Sequence, residues 1–193
     1  MIKKLYLMRH GQTVFNELKK IQGWCDAPLT KLGQEQAKKA GEYFIKENIH
    51  FDEAYSSTSE RASDTLELIT DLPYKRLKGL KEWHFGRFEG ESEDLNPVLP
   101  YGDFFAAYGG ESELAFRERI TSSVLKMMRE SQGATILAVS HGGACAQFAR
   151  HWEETSEIGI AKKLKNCCIL MFEFDTETEI FTLRLQHNHR FEI

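Results

Sequence analysis

Two apolar runs in this chain end in the same dipeptide, histidine followed by glycine. The run Ile2 to Met8 leads into Arg9-His10-Gly11, and the run Ala134 to Ser140 leads into His141-Gly142. Short apolar runs predict buried strands, and glycine after a strand lets the backbone turn tightly. In an open α/β sheet, ligands bind at the carboxyl ends of the parallel strands. We therefore expect both histidines at one functional edge of a sheet.

The rest of the chain alternates between strand-like and helix-like patterns, which predicts a layered α/β fold. Helical periodicity predicts helices that begin after Thr30 and near Arg61, and others over 111–131 and 142–152. Further strands are predicted at Phe51 to Ser56, at Tyr74 to Leu77 (an edge strand, because Pro73 precedes it), at Cys167 to Phe174 and at Ile180 to Gln186. No repeat or low-complexity linker interrupts this order, so we expect a single domain over residues 1–193.

The charge of the chain argues against polyanionic partners. The net charge is -4, from 25 Lys and Arg against 29 Asp and Glu. This balance favours neither nucleic acid nor an anionic membrane. No apolar stretch approaches the roughly 18 residues of a membrane span, and the run before Arg9 is too short for a signal peptide. We therefore expect a cytoplasmic protein with no membrane or nucleic-acid partner.

The cysteines and the C-terminal histidines give little support for a metal site. Cys25, Cys145, Cys167 and Cys168 form no C-x-x-C pair. We expect free thiols, which are typical of a reducing compartment. His187-Asn188-His189 could suggest a metal, but a strand end followed by a solvated tail is the better interpretation. We predict no metal and no cofactor.

One segment, 91–108, differs in composition from its surroundings. It carries four acidic residues and no Lys or Arg, together with two prolines and four aromatic residues. We predict a small cover inserted into the main fold. Five aromatic side chains could either stack on a ligand or pack the cover against the core: Trp24, Trp83, Phe104, Phe105 and Tyr108. The sequence leaves both alternatives open.

Two arginines supply local positive charge in an acidic chain. Arg9 precedes His10, and Arg61 lies at the predicted start of a helix. Helix N-termini favour anions, and guanidinium groups match phosphate oxygens in a bidentate manner. Arg61 alone would be interpreted as a surface ion-pair residue. Together with two strand-end histidines, the two arginines predict a phosphate site.

At this point six motifs in order resemble the histidine phosphatase superfamily, also called the phosphoglycerate mutase-like superfamily. They are R-H-G-Q-T-x-x-N (9–16), Q-G-x-x-D-x-P-L-T-x-x-G-x-x-Q-A (22–37), S-S-x-x-x-R-A-x-x-T (56–65), L-x-E-x-x-F-G (80–86), G-G-E-S (109–112) and S-H-G-G (140–143). The resemblance spans most of the chain. It implies a three-layer α/β/α sandwich with a mixed, mostly parallel sheet. Phe15 and Asp64 depart from residues common in the family, but neither departure touches the chemistry directly.

The resemblance also implies roles for individual residues. His10 would be the nucleophile that becomes phosphohistidine, and Glu82 would be the general acid and base. The phosphoryl contacts would be Arg9, Arg61, His141 and Asn16, with Gln22 and Gly23 at the mouth of the pocket. Two arginines and a second histidine can stabilise the transferring phosphoryl group without a metal ion.

This chemistry requires particular protonation states. His10 must be neutral to attack, and the neighbouring positive charge should lower its pKa. His141 is better placed to be cationic once phosphate is bound. Glu82 must carry a proton for the leaving oxygen and then act as a base toward water. The alternative for Glu82 is a surface residue paired with Lys81 or Arg87.

Two other functions compete with hydrolysis. A phosphoglycerate mutase would use the same phosphohistidine, but it must hold a phosphorylated acid in two orientations. That task favours basic residues over the pocket and a longer insertion there. This cover is instead short and acidic. Lys19 and Lys20 could add positive charge, but we interpret them as solvated helix ends. A non-catalytic phospholigand-binding protein would be expected to lack His10, Glu82 or Arg61. We therefore predict a metal-independent phosphatase of a small phosphorylated metabolite. The acidic cover would suit a leaving group that is neutral, apolar or cationic, but the sequence leaves the substrate open.

Overall fold

Six strands form one mixed sheet in the computed structural model, which describes residues 1–161 and 164–189. They are β1 (Ile2–Arg9), β2 (Glu53–Ser57), β3 (Tyr74–Leu77), β4 (Thr135–Ser140), β5 (Ile169–Asp175) and β6 (Phe181–His187). Their order is β3-β2-β4-β1-β5-β6. The pairs from β3 to β1 are parallel, and β5 and β6 are added antiparallel. The predicted mixed, mostly parallel sheet is confirmed, with β3 at one edge.

Helices cover both faces of this sheet. They are α1 (Val14–Glu17), α2 (Lys31–Lys46), α3 (Glu60–Glu67), α4 (Glu113–Glu130) and α5 (Gly142–His151). Alternate residues of β1 face opposite sides, since side chains alternate along a strand. Leu5 and Leu7 pack with α4 and α5, whereas Tyr6 and Met8 pack with α2 and α3. The expected three-layer α/β/α sandwich is thus confirmed.

Side-chain caps fix where two of the long helices begin. Thr30 Oγ1 accepts a hydrogen bond from Gly33 N at 3.0 Å, as predicted for the start of α2. Ser112 Oγ accepts from Ala115 N at 3.1 Å. Its backbone is extended, so α4 begins at Glu113 rather than at residue 111. Ile69 follows the end of α3 and is half-buried.

The register of the central strands brings the two histidines together. β1 and β4 pair in parallel with Arg9 opposite Ser140, so the next residues, His10 and His141, leave the sheet at the same edge. His10 N donates to Ser140 O at 3.0 Å. β2 lies on the other side of β4 and ends at Ser57. The prediction that both histidines lie at one sheet edge is confirmed.

The acidic segment 91–108 lies outside the sheet. It contains two short 3-10 turns, Glu93–Leu95 and Phe104–Tyr108. Backbone hydrogen bonds join its start to the loop after α1: Ile21 N donates to Glu91 O at 2.8 Å, and Glu93 N donates to Lys19 O at 2.8 Å. The cover is therefore anchored next to the residues that follow the first histidine motif.

Other predictions concern the cysteines, the C-terminal histidines and membrane spans. The four cysteines are free thiols, and only Cys25 is not buried. β6 ends at His187, and the His187 ring stacks on that of Tyr43 with centroids 4.0 Å apart. Within the described ranges, no helix has the length and apolar character needed to span a membrane.

Candidate active site

A cleft of about 280 Å³ opens at the carboxyl ends of β1 and β4. This size suits a small ligand. The predicted site residues that line it are Arg9, His10, Asn16, Gln22, Gly23, Arg61 and Glu82. These residues come from four of the six sequence motifs, and Gly142 and Gly143 of a fifth motif line the same cleft.

His10 is held in a single orientation and tautomer. Its side chain is buried, and Nδ1 lies 2.7 Å from Gly11 O. Because a carbonyl oxygen can only accept, Nδ1 carries the proton and Nε2 keeps its lone pair. Burial, together with the charges of Arg61 and Arg9, holds the pKa of His10 well below its usual range. The ring is therefore neutral, as attack on phosphorus requires.

Arg61 is the most completely enclosed charged residue of the site, with 1% of its surface exposed. Its Nε donates to His10 Nε2 at 3.3 Å, and Nη2 donates to Gly23 O at 2.8 Å. Nη1 donates to Cys25 O at 2.9 Å and forms an ion pair with Asp26 Oδ1 at 2.8 Å. A buried guanidinium costs much less when it is paired and hydrogen-bonded in this way. Asp26 was not singled out from the sequence, although it is the aspartate of the second motif.

His141 lies behind His10 rather than on the cleft surface. It is fully buried, and the two ring centroids are 5.3 Å apart. His141 Nε2 lies 2.7 Å from Ser57 Oγ, whereas Nδ1 is buried without a hydrogen-bond partner among the described residues. Burial and the charges of Arg61 and His10 hold its pKa well below the usual range. In this structure, which contains no phosphate, His141 is therefore neutral. That His141 becomes cationic when phosphate binds stays a prediction.

Two buried donors at the cleft also lack partners within the described residues. They are Arg9 Nε and Gln22 Nε2. The rest of each side chain is engaged: Arg9 Nη1 donates to Leu164 O at 2.6 Å, and Gln22 Oε1 accepts from Thr13 Oγ1 at 2.9 Å. An unpaired buried donor costs free energy, and an anionic oxygen would satisfy it. These donors therefore fit a phosphoryl group next to His10.

Asn16 shapes the loop after His10. Asn16 Oδ1 accepts from Thr13 N at 3.2 Å and from Asn166 Nδ2 at 3.2 Å. The first bond completes a capping box at the start of α1. The side-chain oxygen of Asn16 is thus occupied by hydrogen bonds within the protein, and its amide nitrogen is available to donate to a ligand.

Glu82 is held at the N-terminus of α5. Its carboxylate accepts hydrogen bonds from Gly143 N at 2.9 Å, Ala144 N at 3.1 Å and Trp83 N at 2.9 Å. A side chain at position 143 would place its Cβ 2.5 Å from Glu82 Oε1, so glycine is required there. Glu82 forms no ion pair with Lys81 or Arg87, and the surface alternative for this residue is wrong.

A salt bridge between Arg119 of α4 and Glu111, just before that helix, supports the loop that carries Glu82. Arg119 forms a bidentate pair with Glu111, with both bonds at 2.7 Å. The same guanidinium donates to Gly79 O at 2.9 Å, Lys81 O at 3.0 Å and Glu82 O at 2.9 Å. Glu111 Oε2 also accepts from His84 N. Glu111 belongs to the G-G-E-S motif, but no motif marks Arg119.

The aromatic residues of the cover mainly pack against the core. Phe105 is fully buried and contacts the rings of Trp83, Phe85 and Tyr101. Trp24 stacks on His84 with centroids 4.6 Å apart. Of the five aromatic residues considered from the sequence, only Trp83 lines the cleft. The packing alternative accounts for the others.

Two basic residues were not expected at the cleft. Lys20 lies beyond the end of α1 and lines the cleft, so its interpretation as a solvated helix end is wrong. Arg150, on α5, lines it as well. In the described part of the chain, no group of three or more His, Cys, Asp or Glu side chains is arranged to hold a metal ion.

Comparisons with known proteins agree with this arrangement. The pattern described as "Histidine phosphatase superfamily (branch 1)" matches residues 5–186. A 2,3-bisphosphoglycerate-dependent phosphoglycerate mutase of Hamiltonella defensa is 27% identical over 92% of this chain and 89% of its own. A broad-specificity phosphatase of Saccharomyces cerevisiae is 34% identical over 74% of this chain and 67% of its own.

A solved structure shows the same fold over nearly the whole chain. The crystal structure of a phosphoglycerate mutase from Bacillus anthracis superposes with a TM-score of 0.81, at 26% identity, covering 95% of this chain and 92% of that one. The resemblance stated from the six motifs is therefore confirmed, as is the expectation of a phosphatase-family enzyme. The chain belongs to branch 1 of the histidine phosphatase superfamily.

Proposed function

We propose that the chain is a metal-independent phosphomonoester hydrolase that acts through a phosphohistidine on His10. The observation that carries this proposal is the pairing of an unprotonated His10 Nε2 with unpartnered buried donors beside it. The nitrogen is a nucleophile, and Arg9 Nε and Gln22 Nε2 are ready for phosphoryl oxygens. A non-catalytic phospholigand-binding protein would need the donors but not the nucleophile.

The first half-reaction transfers the phosphoryl group to the enzyme. The lone pair of His10 Nε2 attacks phosphorus, the P–O bond to the leaving group breaks, and protonated Glu82 gives its proton to the departing oxygen. Arg9, Arg61 and the buried His141 stabilise the charge on the phosphoryl oxygens. The Gly11 carbonyl oxygen accepts a hydrogen bond from His10 Nδ1–H and so stabilises the cationic phosphohistidine.

The second half-reaction returns the enzyme to its initial state. Glu82, now a carboxylate, takes a proton from water as the water oxygen attacks phosphorus. The P–N bond breaks, inorganic phosphate leaves, and the electron pair returns to Nε2. Glu82 is then protonated for the next cycle, so no co-reactant other than water is needed.

Hydrolysis is favoured over mutase-type transfer by the character of the cover. The segment 91–108 adds no basic residue to the cleft, and it adds the acidic side chain of Glu93. The relatives named above include both mutases and a broad-specificity phosphatase. Small phosphorylated metabolites fit the 280 Å³ volume, and the four free thiols favour the cytoplasm as the compartment.

Phosphate release from a panel of phosphomonoesters, with EDTA present, tests this proposal beside a phosphoglycerate mutase assay. We expect release that survives the chelator and no net isomerisation. Isomerisation without release would instead establish a mutase. Binding of phosphate esters with neither reaction would establish a non-catalytic phospholigand-binding protein.

A further inference from the structure

Glu89 joins two loops of the candidate active site. Its side chain is 13% exposed, and its carboxylate accepts three backbone hydrogen bonds. The donors are Trp24 N at 2.9 Å and Cys25 N at 2.8 Å, both in the loop 22–26, and Phe85 N at 3.1 Å, in its own loop. A carboxylate with three backbone donors is firmly held, so both loops are tied to one point. The six sequence motifs do not include Glu89, and the phosphoryl chemistry proposed above does not use it.

One peptide group links Glu89 to Arg61. The amide between Gly23 and Trp24 donates its N–H to Glu89 Oε1 at 2.9 Å. The carbonyl oxygen of the same amide, Gly23 O, accepts from Arg61 Nη2 at 2.8 Å. In a trans peptide these two groups point in opposite directions, so the carboxylate and the guanidinium lie at opposite ends of one dipole. The negative charge faces the N–H and the positive charge faces the C=O, and the two hydrogen bonds strengthen each other.

Gly23 is the residue that this arrangement requires. Its φ is +56°, in the left-handed region that favours glycine. A Cβ at this position would lie 2.5 Å from Glu89 Oε1 and 2.9 Å from Phe85 Cδ2. Any side chain at position 23 would therefore displace the carboxylate from the loop. Gly23 thus allows Glu89 to approach the backbone, in addition to accepting the hydrogen bond from Arg61.

The electrostatic surroundings of Cys25 agree with this placement. Burial raises the pKa of the Cys25 thiol, the charge of Glu89 raises it further, and the charge of Arg61 opposes both. The two charges therefore act on the same loop. Among the described residues, the ion-pair partner of Glu89 is His84, whose Nε2 lies 3.8 Å from Oε1. That distance is too long for a hydrogen bond, so the backbone donors are the main partners of the carboxylate.

Arg61 is balanced by negative charge on two sides. Asp26 pairs directly with Nη1 at 2.8 Å, whereas Glu89 acts on Nη2 through the peptide group. The remaining nitrogen, Nε, donates to His10 Nε2 at 3.3 Å. A guanidinium is a rigid planar fork, so fixing both Nη atoms also fixes the direction of Nε. The acceptors of the loop 22–26 thus determine how the positive charge is presented to His10.

We propose that Glu89 is a positioning residue for Arg61. By holding the Gly23–Trp24 peptide group, it directs the carbonyl oxygen that fixes the guanidinium beside His10 and the phosphoryl group. This inference rests on the proposed hydrolase function, and it adds to that function a residue that does not line the cleft. Without the carboxylate, the peptide N–H turns to water and the guanidinium loses a fixed acceptor.

Glu89→Gln tests this role because it preserves the size of the side chain and removes its charge. The amide nitrogen cannot accept, so at least one of the three backbone N–H groups loses its acceptor. We expect the Kd of inorganic phosphate to rise about tenfold and kcat/KM to fall about ten- to hundredfold. The fall should be equal for an alkyl phosphate and p-nitrophenyl phosphate, since Arg61 acts on the phosphoryl group that all esters share. A fall confined to the alkyl phosphate would assign Glu89 to the general acid instead and overturn the proposal.

A double-mutant cycle with Arg61→Gln separates positioning from a general loss of stability. Phosphate binding is measured by calorimetry in the wild type, the two single variants and the double variant. If Glu89 acts through Arg61, the double variant binds phosphate as weakly as Arg61→Gln alone, within about twofold. A loss equal to the product of the two single losses would overturn the proposal. If Glu89→Gln does not fold, Glu89→Asp, which keeps the charge and shortens the side chain, enters the same cycle with the same expectation.

The matched control is Glu53→Gln. Glu53 also accepts hydrogen bonds from two successive backbone N–H groups, those of Gln132 and Gly133. It lies at the start of β2, at the end of the sheet away from the cleft. Glu53→Gln should lower the Tm without changing the Kd of phosphate or either rate. The same result for Glu89→Gln would show that Glu89 only stabilises the fold, and the positioning role would be wrong.

The failures of the two proposals are distinguishable. Absence of phosphate release from every ester by the wild type would overturn the hydrolase function. Phosphate binding does not require turnover, so the double-mutant cycle decides the role of Glu89 in either case.

Discussion

Arg61 Nε lies 3.3 Å from His10 Nε2, the ring nitrogen that carries no proton. The same arginine is fixed by Gly23, Cys25 and Asp26 on its other nitrogens. A cation held this close to the nucleophile disfavours the protonated imidazole and will also neutralise an incoming phosphoryl oxygen. In the proposed mechanism, this one buried residue therefore both keeps the nucleophile unprotonated and binds the phosphoryl group that it attacks.

The geometry of Glu82 predicts a leaving-group dependence. Glu82→Gln removes the proton donor, so hydrolysis of an alkyl phosphate should slow by roughly 10²–10⁴-fold. p-Nitrophenolate leaves with little protonation, and its release should slow far less. Steady-state rates of the two esters in wild type and variant provide the measurement. Equal losses on both esters would refute the role of Glu82 as general acid.

Arg119 is predicted to act through Glu82 as a positioning residue. Lysine cannot reach the three carbonyls and the carboxylate that this guanidinium contacts, so Arg119→Lys should loosen the 79–84 loop. We expect kcat for an alkyl phosphate to fall by about ten- to hundredfold, with a smaller fall for p-nitrophenyl phosphate.

The matched control for Arg119 is Arg129→Lys on the same helix. Arg129 is also paired with a glutamate, Glu179, but it lies outside the cleft. Arg129→Lys should leave the ratio of the alkyl phosphate rate to the p-nitrophenyl phosphate rate at the wild-type value. If Arg119→Lys lowers the Tm while reducing both rates equally, its role is structural and the positioning role is wrong.

The lowered pKa values of the buried histidines predict how stability depends on pH. In the folded chain His10 and His141 stay neutral below their ordinary pKa of 6.5, whereas in the unfolded chain they bind protons there. Their contribution to the free energy of unfolding is thus fully present above pH 6.5 and is lost as pH falls toward the folded pKa values.

Denaturant titrations from about pH 8 to about pH 5, without phosphate, measure this effect. His10→Gln removes one such group, so its free energy of unfolding should fall less steeply below pH 6.5, by up to about 1.4 kcal/mol per pH unit. Equal slopes in wild type and variant would show that His10 is protonated normally in the folded protein.

The fold and the central residues were predictable because their signals are local. Short apolar runs predicted the strands, and Pro73 limited β3 to a sheet edge. A strand end followed by His-Gly predicted the position of both histidines. These features depend on neighbouring residues in the sequence, which is why they can be recognised without coordinates.

The parts that were missed depend on contacts between distant segments. Arg119 is separated by 37 positions from the Glu82 carbonyl that it binds, and nothing near it in the sequence marks this contact. Lys20 reaches the cleft because α1 ends at Glu17 and the chain then bridges to the cover at Ser92. His141 was predicted correctly at the sheet edge, but its burial behind His10 follows from the packing of β2 beside β4.

In the proposed mechanism His10 carries the phosphoryl group during turnover, so trapping the phosphorylated enzyme is the first experiment. The enzyme is mixed with a ³²P-labelled phosphomonoester, quenched in alkali, which preserves phosphohistidine, and digested for peptide mapping. We expect label on the peptide containing His10, loss of that label as inorganic phosphate appears, and no label in His10→Gln. Label on another residue, or continued phosphate release by His10→Gln, would contradict this mechanism.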